Sequence, residues 1–152
     1  MEDWGIEWEA DKKHRELLME RFGLDKKAKS LNQNGANEVH QDEEWEQEPL
    51  EKEEATEFRA AAARLNFLGL DSPELQFPAK EPSQEMAVPK IGAWKRVERV
   101  SRFLLGREPV LWEYFGQDEG YDTETFADSD WGGRRGSRKS TSGGCVMIGK
   151  NC

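Results

Sequence analysis

Apolar positions recur at two spacings along this chain, and the spacings mark out its elements. Near the start, Trp4, Ile6 and Trp8 alternate with Gly5, Glu7 and Glu9, the period-two pattern of a strand with one covered face. Asp11 then stands where a helix N-cap belongs. Leu17, Leu18 and Phe22 supply an apolar helical face, and Gly23 offers a stop.

A second helix is predicted over "TEFRAAAARLNFLGL", where Phe58, Ala62, Leu65 and Leu68 or Gly69 share one face and the alanine run favours helix. Asp71 or Ser72 followed by Pro73 makes a good helix start. Pro78 and Pro82, however, lack the N–H that an interior turn needs, so a short or broken helix is expected there. The strongest helical pattern is "PKIGAWKRVERVSRFLLGR": Trp94, Val97, Val100 or Ser101 and Leu104 form a stripe, and Gly106 ends it. Beyond it "PVLWEYFG" alternates as a strand, "QDEGYD" is a turn, and "TETFADSDW" and "GGCVMIG" read as two further strands. The last is apolar on both faces and is expected to be buried.

Charge changes this picture in one place. The net charge of -9 belongs to residues 1–54, which hold 17 acidic and 8 basic residues, whereas residues 55–152 hold 14 of each. From 38 to 54, nine acidic residues face Lys52 alone, a density at which like charges repel and a solvated linker is expected. An EF-hand calcium loop is excluded there, because its spacing and central glycine are missing. Hydrophobic residues make up 36% and charged residues 35% of the chain, so a patchy fold with disordered parts is expected rather than one well-packed globule.

Two cysteines, Cys145 and Cys152, are too few for a disulfide framework, and with only His14 and His40 no zinc-ligand spacing exists. The start of the chain lacks a signal-peptide pattern, and no apolar run approaches the roughly 20 residues of a membrane span. The expectation is an intracellular protein without a membrane partner, its cytoplasmic or nuclear placement open.

Candidate chemistry is concentrated at two sites. Asp128 and Asp130 are two residues apart on an expected strand, a geometry that places side chains on one face about 7 Å apart and could contribute oxygen ligands to a hard cation. No Asp or Glu follows Asp130, so two-metal phosphodiester hydrolysis, which needs several carboxylates around ions about 4 Å apart, cannot be completed from downstream. The loop at 132–142 carries Arg134, Arg135, Arg138 and Lys139 with the hydroxyls of Ser137, Ser140, Thr141 and Ser142, all suited to phosphate contact. The second site is the polar face of the strongest helix, with Lys95, Arg96, Arg99 and Arg102. A basic amphipathic helix is what a phosphate backbone needs, although a solvated face on a packed helix is the commoner meaning of such a pattern.

The run "FADSDWGGRRGSRKSTSGGCVMIG" resembles the start of the ribonuclease H domain in copia-type retrotransposon Pol polyproteins, with "RKSTSGG" as its most specific part. "TEFRAAAARLNFLGLDSPELQFPAKE" and "WKRVERVSRFLLGR" look like the helices that join reverse transcriptase to ribonuclease H, and "GIEWEADKKHRELLMERFGL" resembles the strand and helix after the polymerase palm. The resemblance implies an α+β fragment of an incomplete domain: several helices plus a C-terminal β-hairpin opening a ribonuclease H-like fold, with a disordered acidic linker.

It divides the chain into the end of the reverse transcriptase region at 1–36, the linker at 37–54, a helical connection at 55–116 and the start of ribonuclease H at 121–152. Asp128 matches the family's first metal-binding aspartate and Asp130 is its companion. Magnesium and an RNA:DNA hybrid are implied by the family alone. The remaining carboxylate motifs would lie before Met1 and beyond Cys152, in the remainder of Pol, so this piece is expected to be inactive by itself. The alternatives are a nucleic-acid-binding or scaffolding remnant that uses the basic helix and loop, and a truncated gene model of an intact polymerase.

Overall fold

The computed structural model describes residues 5–25, 27–33, 44–117, 121–132 and 138–152. In chain order these form β1 (Gly5–Glu9), α1 (Lys12–Arg21), a 3-10 turn (Glu44–Gln47), α2 (Lys52–Asp71), α3 (Pro73–Ser83), α4 (Ile91–Leu105), β2 (Leu111–Phe115), β3 (Thr123–Ser129) and β4 (Ser142–Ile148). The architecture is mixed α+β, and the chain divides into two units: residues 9–110, which hold the helices, and residues 1–8 with 111–152, which hold the strand pairs.

The helical unit is built around apolar stripes. In α1, the Asp11 carboxylate accepts the His14 N–H at 2.7 Å, the N-cap bond that the sequence predicts. Phe58, Ala62, Leu65, Leu68 and Gly69 of α2 are all buried, on the face that the spacing assigns to the core. α2 packs against α1, α3 and α4. Trp94 of α4 ties three helices together, its ring 4.9 Å from that of Phe22 and 6.1 Å from that of Phe58. Gly106 caps α4 as expected. A β-carbon there would lie 2.9 Å from the Ser30 Cβ, so the position also demands the smallest residue for the passage of the chain at 27–33.

Two expectations for this unit are corrected. α3 is a continuous helix from Pro73 to Ser83 and is not broken by Pro78 or Pro82. Leu75, Pro78, Ala79 and Pro82 fall at the i, i+3, i+4, i+7 positions of one face and are all buried, with α2 as the neighbouring helix. An interior proline costs about 3 kcal/mol, whereas burying a large apolar side chain stabilises by about 1.5–3 kcal/mol, so a stripe of this kind offsets most of the lost hydrogen bonding.

The acidic stretch expected as a disordered linker is ordered where it is described. Residues 44–47 form a 3-10 turn, Pro49 bridges Lys90, and Leu50 donates its N–H to the Pro89 carbonyl at 2.9 Å. The Ile91 N–H in turn donates to the Glu48 carbonyl at 3.0 Å, and α2 begins at Lys52. Backbone pairing and the partial burial of Leu50 against the core hold this segment despite its charge. Residues 37–43 lie outside the described residues.

In the strand unit, β1 pairs with β2, and β3 pairs antiparallel with β4 in the register Thr123↔Ile148 to Ser129↔Ser142. The covered faces expected for the first strand and for "GGCVMIG" are not found. Ile6 is 68% exposed, every residue of β3 is exposed, and Val146 and Ile148 of β4 keep about half their surface in solvent. Alternation reports which residues share a face, but among the described residues each of these sheets has two strands, and a ribbon needs a second layer before a face is buried. Trp4 lies outside the described residues. Among the described residues, no helix is long and apolar enough to cross a membrane.

Candidate functional site

Asp128 sits on β3 opposite Gly143, on the face that also carries Glu124 and Phe126. Its Oδ1 accepts the N–H of Ser129 at 2.8 Å. Asp130 lies just past the end of β3 and closes the hairpin. Its backbone N–H donates to the Thr141 carbonyl at 3.0 Å, and its carboxylate accepts the Thr141 N–H, a charge-assisted bond. The two carboxylates therefore serve separate backbone bonds.

Among the described residues, no three His, Cys, Asp or Glu side chains gather as a metal site requires. The carboxylates of Asp128 and Asp130 by themselves fall short of the oxygen donors that a magnesium ion takes.

The loop beside this pair is held from within. Ser140 Oγ accepts the Gly132 N–H at 3.1 Å. Arg138 occupies the left-handed backbone region at φ 53 and lays its guanidinium along Gly132, while Lys139 and Trp131 are exposed, Trp131 at 93%. Arg134, Arg135 and Ser137, predicted here as phosphate contacts, lie outside the described residues.

The second predicted surface is brought together on α4. Lys95, Arg96, Arg99 and Arg102 line a cavity of about 330 Å³, with Gly92 and Leu31 also in its wall. Helical spacing places 95, 99 and 102 on adjoining turns of one side.

The cavity is not purely cationic. Glu46 and Glu98 line it too, and Lys95 Nζ stands 4.0 Å from Glu46 Oε1. Arg96 pairs with Glu85, both side chains about one-fifth exposed. Arg102 donates through Nε to the Lys29 carbonyl at 3.3 Å, and its own carbonyl accepts the Leu31 N–H at 3.2 Å.

The basic face of α4 thus also holds the chain at 27–33 and at 44–47. Sequence reasoning found the cations and missed Glu46, Glu85 and the Lys29 carbonyl, which no local periodicity connects to α4. A further cation, Arg15, donates to the Leu104 carbonyl at 2.5 Å, where the last turn of α4 leaves carbonyls without helical partners. Burial lowers the Arg15 guanidinium from its ordinary value, opposed by the nearby Glu108 and Glu74.

No protein-family model matches the chain, and no solved structure matches it. Two curated proteins of Arabidopsis thaliana do. The chain is 28% identical over 98 residues to an uncharacterized mitochondrial protein, AtMg00810, a match covering 63% of this chain and 40% of that protein. It is 29% identical over 94 residues to the retrovirus-related Pol polyprotein from transposon RE2, covering 62% of this chain and 6% of the polyprotein. The likeness to retrotransposon Pol expected from the sequence is found, and the match spans less than half of the first relative and a small fraction of the second.

Proposed function

We propose that this chain is a piece of a retrotransposon Pol polyprotein from the region connecting reverse transcriptase to ribonuclease H, and that it is catalytically inactive alone. The observation that carries this reading is the combination of the Pol likeness with the state of the two aspartates: Asp128 has no clustered carboxylate partners among the described residues, and Asp130 is committed to hairpin closure. In this reading β3 and β4 are the opening hairpin of a ribonuclease H-like sheet, and the parent protein copies RNA into DNA and degrades the RNA strand of the hybrid. Magnesium would be held at Asp128 only with carboxylates supplied by the rest of Pol. Purified chain with magnesium should leave a labelled RNA:DNA hybrid intact. Reproducible cleavage that Asp128→Ala abolishes would overturn the proposal.

A second reading, a nucleic-acid-binding remnant, is favoured by the cavity on α4, where four cations outnumber two carboxylates. Phosphate contacts by these cations release counterions, so binding should fall steeply as salt rises. Fluorescence anisotropy with single strands, duplex and hybrid at low salt tests it. Arg99→Glu should weaken all three, and an absence of binding to any of them removes the reading.

A further inference from the structure

The two cysteines meet across a tight turn at the end of β4. Gly149 and Lys150 form the turn, Gly149 with the left-handed φ of 61 that glycine adopts without cost. Ile148 and Asn151 close it by exchanging both backbone bonds, at 2.8 and 3.2 Å. An antiparallel return of this register sets residue 152 beside Met147, on the face of β4 that also carries Cys145. The thiols are accordingly 2.8 Å apart, Sγ to Sγ, with Cys152 exposed and Cys145 half-buried.

We propose that Cys145 and Cys152 form a thiol–disulfide exchange site that accepts low-molecular-weight disulfides and closes to an intramolecular bond. The sulfurs need approach by less than about an ångström to reach bonding distance of about 2.05 Å, which small side-chain rotations supply. In the first step the Cys152 thiolate attacks one sulfur of glutathione disulfide, forming a mixed disulfide and expelling one glutathione thiolate. In the second, the Cys145 thiolate attacks the Cys152 sulfur of that mixed disulfide and expels the other glutathione. One sulfur–sulfur bond is broken and one is made. The two protein thiols are oxidised, their protons pass to the two released thiolates, and the small disulfide is reduced.

The order of attack follows from exposure and protonation. Cys152 is the more open sulfur. The hydrogen bond shared with Cys152 raises the Cys145 thiol above its ordinary value, which keeps it protonated and leaves it to act second. Once Cys152 is held in the mixed disulfide that hydrogen bond is gone, and the Cys145 thiolate, with Glu124 and Asp128 on the same face of the paired strand, becomes more abundant as pH rises, so closure accelerates with pH.

Closure also has a mechanical consequence within the strand unit. The Asn151 side chain exchanges two bonds with the Phe115 backbone, at 2.9 and 3.0 Å, and Gln117 bonds the Ile148 carbonyl and the Lys150 N–H. Pinning 145 to 152 fixes the turn that presents Asn151 to Phe115.

The full chain treated with sub-millimolar glutathione disulfide, then alkylated and mapped by mass spectrometry, tests the site. The expected product is a monomer with Cys145 linked to Cys152, formed about tenfold or more faster than a second glutathione adds, because the neighbouring thiol is held at high effective concentration. Cys145→Ser should stop at a glutathione adduct on Cys152, and the closure rate of the unsubstituted chain should rise with pH. Hydrogen exchange at the Phe115 N–H, unchanged between the reduced variant and the reduced unsubstituted chain, checks that the strand unit of the variant is folded. Two glutathione adducts without a crosslink, covalent dimers as the main product, or no reaction at all would each overturn the proposal. Hydrogen exchange at the Phe115 N–H should slow in the oxidised chain, and an unchanged rate would sink the mechanical part.

Discussion

In the helical unit Phe58, Leu65, Leu75 and Val97 are fully buried, whereas in the strand unit Ile6, Phe126, Val146 and Ile148 keep half or more of their surface in solvent. Both regions are written with regular apolar spacing. The difference lies in how many neighbours each element has. α2 is packed by three other helices, so every residue of its stripe finds a partner, but each strand has one partner at its edge and no described layer over its face. Correct patterning is therefore sufficient for burial only where the fold supplies a facing surface.

That contrast can be broken most directly at the helical core. Leu65→Ala should destabilise the helical unit by about 3–5 kcal/mol, since the side chain is fully buried among packed helices and its removal leaves a cavity. Urea unfolding followed by helical circular dichroism would read the loss. Arg96→Ala should cost less, about 1–2 kcal/mol on the same measurement, because it strands the half-buried Glu85 carboxylate without its guanidinium partner.

Asp11→Ala removes one N-cap bond from α1 and should cost about 1 kcal/mol, seen as a lower urea midpoint with an unchanged slope. At the other extreme, Phe126→Thr replaces a ring that is 57% exposed on β3 and should change stability by less than about 0.5 kcal/mol while raising solubility in a concentration series. A large destabilisation from Phe126→Thr would show that the strand unit buries this face after all.

The helices were legible in sequence because their signals are local. Asp11 as cap, the stripe from Phe58 to Leu68, the stripe from Trp94 to Leu104 and the stop at Gly106 all depend on residues within a few turns of one another. α3 was misjudged because its prolines are bad for an isolated helix and good for the face packed on α2, and only tertiary contact decides between the two. The acidic residues 44–54 were misjudged for a related reason: charge density argued for solvent, and the strand-like pairing with 89–91 lies some forty positions away.

At the candidate site, Lys95, Arg96, Arg99 and Arg102 were readable as one cationic surface. Their engagement with Glu46, Glu85 and the Lys29 carbonyl was not, because those partners come from three other segments. The closure of the hairpin by Asp130 and the meeting of Cys145 with Cys152 were equally hidden. Both depend on a strand register and a turn, not on composition.

The pairing of 48–50 with 89–91 closes the chain on itself. The chain enters α2 and leaves α3 through the same two-rung clasp, with Pro49 against Lys90 and one backbone bond on either side. α2 and α3 are thus a closed ring hung from the base of α4. The bend that leads back into the clasp is tied as well: Glu85 pairs with Arg96, and Met86 packs on the core while its carbonyl accepts from Arg59 at 2.8 Å. A residue added to or removed from 84–88 would therefore break one of these ties, even though the size of the ring itself enters its closing entropy only logarithmically.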